Sequence, residues 1–188
     1  MPDSLRSAAI AAALATLCAS SALAAGSAEQ IARGKYLVKF GGCSDCHTPG
    51  SLTGHPDMTR YLGGSDIAFG IPGMGAFVPA NLTPDKATGL GGWTEAQIVT
   101  AFTTGKRPDG RMLAPAMPYA SFAGLSHADA FAIAAYLKSV PAVSHKVAGP
   151  FGATEIPTVP AMAVVPGVTF ACQPGPDPKA ARPAACPK

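Results

Sequence analysis

Cys43-Ser44-Asp45-Cys46-His47 is the run in this sequence whose residue types and spacing can do chemistry. Two thiols three positions apart, with an imidazole directly after the second, form a C-x-x-C-H run, which reads as a c-type haem attachment site. The cysteines would add across the haem vinyl groups as thioethers, and the His47 imidazole would lie under the iron as its proximal ligand. Two other chemistries use part of the run. A thioredoxin-like redox pair belongs at the start of a helix in a βαβ alternation, which the sequence does not show. A structural zinc site needs a second ligand pair at close spacing. Cys18, Cys172 and Cys186 supply no second C-x-x-C and have no histidine beside them. Covalently attached haem c, with its iron, is therefore the expected cofactor.

The sixth iron ligand separates electron transfer from reaction at the metal. A methionine thioether is a soft ligand that raises the reduction potential, and an occupied sixth site discourages binding of oxygen or peroxide. The candidates are Met58, Met74, Met112, Met117 and Met162. Met117 stands in Pro115-Ala116-Met117-Pro118-Tyr119, where two prolines restrict the backbone and would hold the sulfur still through a redox cycle. Met112 is the next candidate, and Met58, Met74 and Met162 read as core filler. His55, His127 and His145 read as solvated or hydrogen-bonded residues; His127 opens a helix, a poor position for a charged imidazole.

Three helices are expected to position these groups. Ser27 with Gln30 has the form of a capping box, after which Ile31, Gly34 and Leu37 or Val38 recur at helical spacing up to the haem run. Gly34 inside a helix costs about 1 kcal/mol relative to alanine, so another element is expected to approach closely there. Thr94 with Gln97 opens a second helix, with Ile98, Ala101 and Phe102 on one face and Gly105 as its stop. Ser126 with Asp129 opens a third, with Ala130, Ile133, Ala134 and Leu137 on one stripe, ending before Pro141. The stretches between are rich in Gly and Pro, and no strand is expected.

A helix leading into C-x-x-C-H and a closing helix rich in alanine and aromatics make the chain resemble a class I cytochrome c. The resemblance implies a mainly α fold in which crossed N- and C-terminal helices enclose one covalently bound haem. It implies that Gly34 meets Tyr136 at the crossing and that Met117, followed by Pro118, is the distal ligand. Asn81-Leu82-Thr83-Pro84-Asp85, Thr88-Gly89, Gly92-Trp93-Thr94, Pro108-Asp109-Gly110-Arg111 and Met117-Pro118-Tyr119 narrow it further. From about Asn81 to Val143 the chain resembles the haem domains in cytochrome subunits of membrane-bound alcohol and gluconate dehydrogenases. Those subunits carry three C-x-x-C-H runs and this chain has one. An electron-accepting role is what this resemblance implies.

The length of 188 residues and a charged fraction of 13% allow one domain with extended appendages. Met1 to Ala24 has the form of a secretory signal peptide: Arg6 in the n-region, Ala8 to Ala15 as the apolar stretch, and Ala22-Leu23-Ala24 before the cleavage point. Its apolar run is short and alanine-rich for a bilayer span. Export to the periplasm follows, with the mature protein soluble or held at a membrane by a partner, and in an oxidising compartment Cys172 and Cys186 could close a disulfide. The expected division is a signal at 1–24, a haem domain at 25–141 and a Pro-rich tail at 142–188. That tail is either wrapped over the domain or mobile, and is a possible arm for a larger enzyme.

Smaller expectations concern the haem's surroundings. His47 should donate its other ring N–H to a backbone carbonyl, with the neighbourhood of Pro56 as candidate. Trp93 is either a propionate donor or a large core residue. Lys106, Arg107 and Arg111 suit propionates, a docking face or a solvated loop. Ala114 to Ala120 and Gly42 to Thr48 would flank an exposed haem edge. The formal charge of +3 is mild, falling to about +1 with both propionates ionised. No basic run suggests nucleic acid.

These readings predict a periplasmic single-haem protein that transfers one electron at a time and is not itself an enzyme. It would work as a soluble carrier or as the electron-accepting subunit of a periplasmic dehydrogenase, passing electrons to a downstream cytochrome or oxidase. The competing classes are a haem peroxidase, for which no convincing distal acid or base can be named, and a ligand-binding or sensory haem protein with a labile sixth ligand.

Overall fold

The structure, a computed structural model, describes residues 26–163. The expected signal peptide at 1–24, Cys18 and the expected Cys172–Cys186 disulfide lie outside the described residues. Helix α1 runs Ala28–Phe40 and begins where Ser27 Oγ accepts from the Gln30 amide at 3.1 Å. Helix α5, His127–Ser139, begins in the same way at Ser126 and stops at the extended Val140, because the following proline disfavours helical backbone in the residue before it. The two helices cross at Gly34. A Cβ there would lie 2.8 Å from Tyr136 Cβ and would run into the Ala132 carbonyl, so the close approach expected between Gly34 and Tyr136 is observed.

Helix α3, Glu95–Thr104, packs against the other side of α5. Its capping box is reciprocal: Thr94 Oγ1 accepts from the Gln97 amide at 3.2 Å and Gln97 Oε1 accepts from the Thr94 amide at 2.9 Å. Gly105 ends it in the left-handed conformation at φ +78°, which only glycine adopts without strain. Enclosed between α1 and α3, α5 buries Ala132, Ala135 and Tyr136 as well as the stripe read from its periodicity. The core around it consists of Val38, Leu62, Leu90, Ile98, Ile133 and Leu137. Two short helices complete the set, α2 at Cys43–His47 and α4 at Tyr119–Phe122.

Contrary to expectation, there is a small sheet. Strands β1 (Ala68–Ile71) and β2 (Gly75–Phe77) form a hairpin with Phe69 opposite Phe77, and β3 (Ala161–Ala163) joins β1 in parallel, with Phe69 opposite Met162. The strands are three or four residues long and built from Gly, Ala and Met as well as Phe and Ile, so neither alternation nor β-propensity marks them. The tail is the second finding. Residues 142–163 do not leave the domain but lie along it, through a main-chain bridge from Phe151 to Ala76 and then through β3.

Candidate haem site

The five residues of α2 place Cys43 and Cys46 at i and i+3, with His47 at i+4, so all three lie on one side of a single helical turn. The turn starts from Gly42 at φ +65°, where a side chain would be strained and would also press on the Asp45 carboxylate. Burial pushes the Cys43 thiol up to about 11, and the nearby Asp45 adds to this. Cys46 is raised for the same two reasons, burial first. Burial thus favours the protonated thiol at both positions.

His47 Nδ1 lies 2.7 Å from the Ala80 carbonyl. A carbonyl only accepts, so Nδ1 carries the proton and Nε2 keeps its lone pair. Burial lowers the pKa of this imidazole, against the smaller upward pull of the Ala80 hydrogen bond, and the ring is neutral as a metal ligand must be. The backbone-carbonyl partner was expected; its position near Pro56 is corrected to Ala80, which the fold brings across 33 residues.

Cys43, Cys46 and His47 open onto a cavity of about 390 Å³ whose walls come from α3, α5, the 77–82 loop and the loop before α4. Met117 lines the cavity and Met112 does not. Met112 is 51% exposed, and its Cε packs near Gly105. Met58, Met74 and Met162, expected as core filler, are exposed at 62, 49 and 47%; the flexible thioether is tolerated at a surface as readily as inside. His145 donates from Nδ1 to the Gly63 carbonyl at 2.7 Å, His127 stacks on Phe131, and neither lines the cavity.

One wall is polar. Trp93, Arg107 and Arg111 all line it, with the Arg107 guanidinium 5.0 Å over the Trp93 ring and Arg107 Nε 3.2 Å from Asp109. Lys106 is exposed and does not line the cavity, so it drops out of this group. A residue that the sequence did not single out holds this wall: Lys138 Nζ donates to the carbonyls of Trp93 at 2.9 Å, Gly91 at 3.1 Å and Leu90 at 3.4 Å. Its only sequence signal was a basic residue in the last turn of a helix, where carbonyls need donors. Val147 to Pro150, from the segment expected to be either wrapped over the domain or mobile, form a further part of the lining.

The residues fit haem. Among the described residues no three His, Cys, Asp or Glu side chains gather as a site for a bare ion. The donors that do meet are one imidazole, two thiols and one thioether in an apolar chamber, a set suited to a metal carried inside a macrocycle.

A family model for cytochrome c matches residues 31–141. The chain belongs to the cytochrome c family, and this segment is a haem c domain of the electron-transferring kind. Among its relatives is the cytochrome c subunit of the quinone-dependent alcohol dehydrogenase of Gluconobacter oxydans (strain 621H). It is 39% identical over 106 residues, covering 56% of this chain and 20% of that subunit. The cytochrome subunit of the fructose dehydrogenase of Gluconobacter japonicus is 37% identical over 125 residues, 64% of this chain and 24% of its own length. A diheme cytochrome c-type protein of Cereibacter sphaeroides is 31% identical over 119 residues, 63% and 39% of the two lengths. The chain thus spans well under half the length of each of these relatives.

Proposed function

We propose that this chain is an exported, single-haem cytochrome c that passes one electron at a time. Cys43 and Cys46 are its thioether anchors, and His47 and Met117 its axial ligands. The observation that carries the ligand set is that one cavity is lined by His47 and Met117, while Met112 is turned away over Gly105. Cys43, Cys46, His47 and Met117 would hold the haem, which when bound would supply a one-electron couple at its iron. The chain's part is to hold that iron still. His47 is fixed through its Nδ1 hydrogen bond, Met117 sits between Pro115 and Pro118, and the apolar walls keep water away. Arg107, Arg111 and Trp93 are placed to meet the carboxylates of the haem edge. Ala114, Ala116 and Pro118 line the same cavity as Cys43 and Cys46, which supports placing the partner-facing haem edge there.

The names of the relatives support a dehydrogenase as the partner that donates electrons, and in this proposal the electrons pass on to a downstream cytochrome or oxidase. Removal of residues 1–24 and a periplasmic location are part of this proposal. No helix among the described residues is long and apolar enough to cross a membrane. The test is the optical spectrum of the mature protein, reduced and oxidised, with and without carbon monoxide. Wild-type protein should be six-coordinate in both states and ignore carbon monoxide. Met117→Ala should lower the potential and bind it, whereas Met112→Leu should match wild type. Rapid carbon monoxide binding by wild type would replace this reading with the ligand-binding or peroxidase class.

A further inference from the structure

We propose that residues 143–151, which lie beyond the family-matched segment, form a tuning wall of the haem cavity. Asn81 is the positioning residue that clips this strap to the histidine side of the site. The inference rests on the reading of His47 as proximal ligand.

Asn81 is only 1% exposed and follows Ala80, whose carbonyl accepts from His47. Its Nδ2 donates to the Val143 carbonyl at 2.7 Å and is shared with Thr88 Oγ1 at 3.1 Å and the His145 carbonyl at 3.3 Å. Its Oδ1 accepts from Thr83 Oγ1 at 2.7 Å and from the Thr83 amide at 2.9 Å. The Val143 amide in turn donates to Thr83 Oγ1 at 3.0 Å, and the His145 amide to Thr88 Oγ1 at 3.1 Å. These bonds join the strap to the loop that fixes the His47 ring.

The strap also reaches the other flank of the same histidine. His145 Nδ1 donates to Gly63, and the amide of the next residue, Gly64, donates to the His47 carbonyl at 2.8 Å. Val147 packs on Gly64. Val147, Ala148, Gly149 and Pro150 then line the cavity, and Phe151 closes the far end with two main-chain hydrogen bonds to Ala76, 2.9 and 3.0 Å. The segment is thus held at both ends, with its middle forming cavity wall. A wall of this kind lowers the local dielectric and keeps water from the iron, which favours the less charged, reduced state. By holding Ala80 in place, the Asn81 clip also preserves the hydrogen bond that orients the imidazole.

The test uses the full-length mature holoprotein. Val147→Asp puts a carboxylate into the wall, and Ser144→Asp puts the same charge at an exposed position of the same strap. Val147→Asp should lower the reduction equilibrium constant at least tenfold, about 59 mV for one electron, while Ser144→Asp shifts it less than twofold. Equal shifts in the two variants overturn the proposal. Asn81→Ser should retain covalent haem, speed hydrogen exchange at residues 143–148 at least tenfold and lower the potential. Faster exchange with an unmoved potential also overturns it. If Asn81→Ser does not accumulate, the two aspartate variants decide. Failure of the axial-ligand reading shows in the spectrum of unsubstituted protein, whereas failure of the strap shows as a normal wild type with indistinguishable aspartate variants.

Discussion

Lys138 and Asp57 show how single polar groups hold the loops that the helices leave uncovered. The Lys138 ammonium, half-buried, serves three carbonyls of the segment carrying Trp93. Hydrogen bonds from a charged donor are worth about 1.5–3 kcal/mol, so Lys138→Met should lower stability by about 2 kcal/mol. The urea midpoint of the holoprotein checks this, and an unchanged midpoint would show that water serves those carbonyls equally well. Asp57 caps the turn at Met58–Arg60. Its carboxyl is held at about 2, below the usual 3.8, first by the Thr59 hydroxyl and then by Arg60. A depressed carboxylate contributes stability above its unfolded pKa and loses it as the pH falls through the folded one. The difference in stability between wild type and Asp57→Asn should therefore be constant above about pH 5 and fade between pH 4 and 2. A difference that grows in acid would contradict this. C-x-x-C-H was legible at this scale because covalent chemistry needs fixed spacing, and the Pro-flanked Met117 stood out by its stiff loop. The Ala80 carbonyl was not legible, since any residue supplies a carbonyl and the contact spans 33 positions.

At the scale of elements, the crossing of α1 and α5 is the contact that everything else is hung from. Gly34 is required there because the Ala132 carbonyl occupies the space of a Cβ. Alanine would gain about 1 kcal/mol of helix propensity. Pushing a helix backbone aside commonly costs about 1–3 kcal/mol, and here the obstacle is main chain, which cannot change rotamer. Gly34→Ala should accordingly lower the midpoint of thermal unfolding of the holoprotein by roughly 5 °C; a rise would mean that propensity outweighs the clash. All three helices could be read from side-chain caps, a left-handed glycine and a proline stop, since these are local signals. The caps were less symmetric than expected: Asp129 pairs with Arg33 at 2.8 Å across the crossing, and that pairing depends on the fold. The sheet escaped because β3 pairs with β1 from more than 90 residues away, and strands this short owe their form to partners rather than to composition.

Considered as a whole, the described residues form one hydrophobic core that opens on one side into the cavity, with Leu90, Ile98, Ile133 and Leu137 belonging to both. Helices α3 and α5, the loop before α4 and the 143–151 strap all turn apolar side chains toward a chamber of about 390 Å³. The composition of the 143–151 strap announced a proline but not a partner surface, so its place against this chamber emerges only when the chain is assembled. Filled with haem, the chamber is the centre of the fold; left empty, it removes contacts from most elements at once. At about 24 cal/mol per Å³, an empty chamber of this size would cost about 9 kcal/mol. Relaxation and entry of water through its open side reduce that figure, but even a fraction of it is large against the 5–15 kcal/mol by which whole domains are stable. Cys43→Ala/Cys46→Ala protein, purified without haem, should therefore keep part of its helical far-UV signal, lose near-UV structure, bind an apolar dye and melt without a cooperative transition. A sharp transition within about 5 °C of the holoprotein's would mean that the helix crossing and the strap close the fold unaided. The strap would then be a preformed lid, and haem would enter a finished pocket rather than complete an unfinished core.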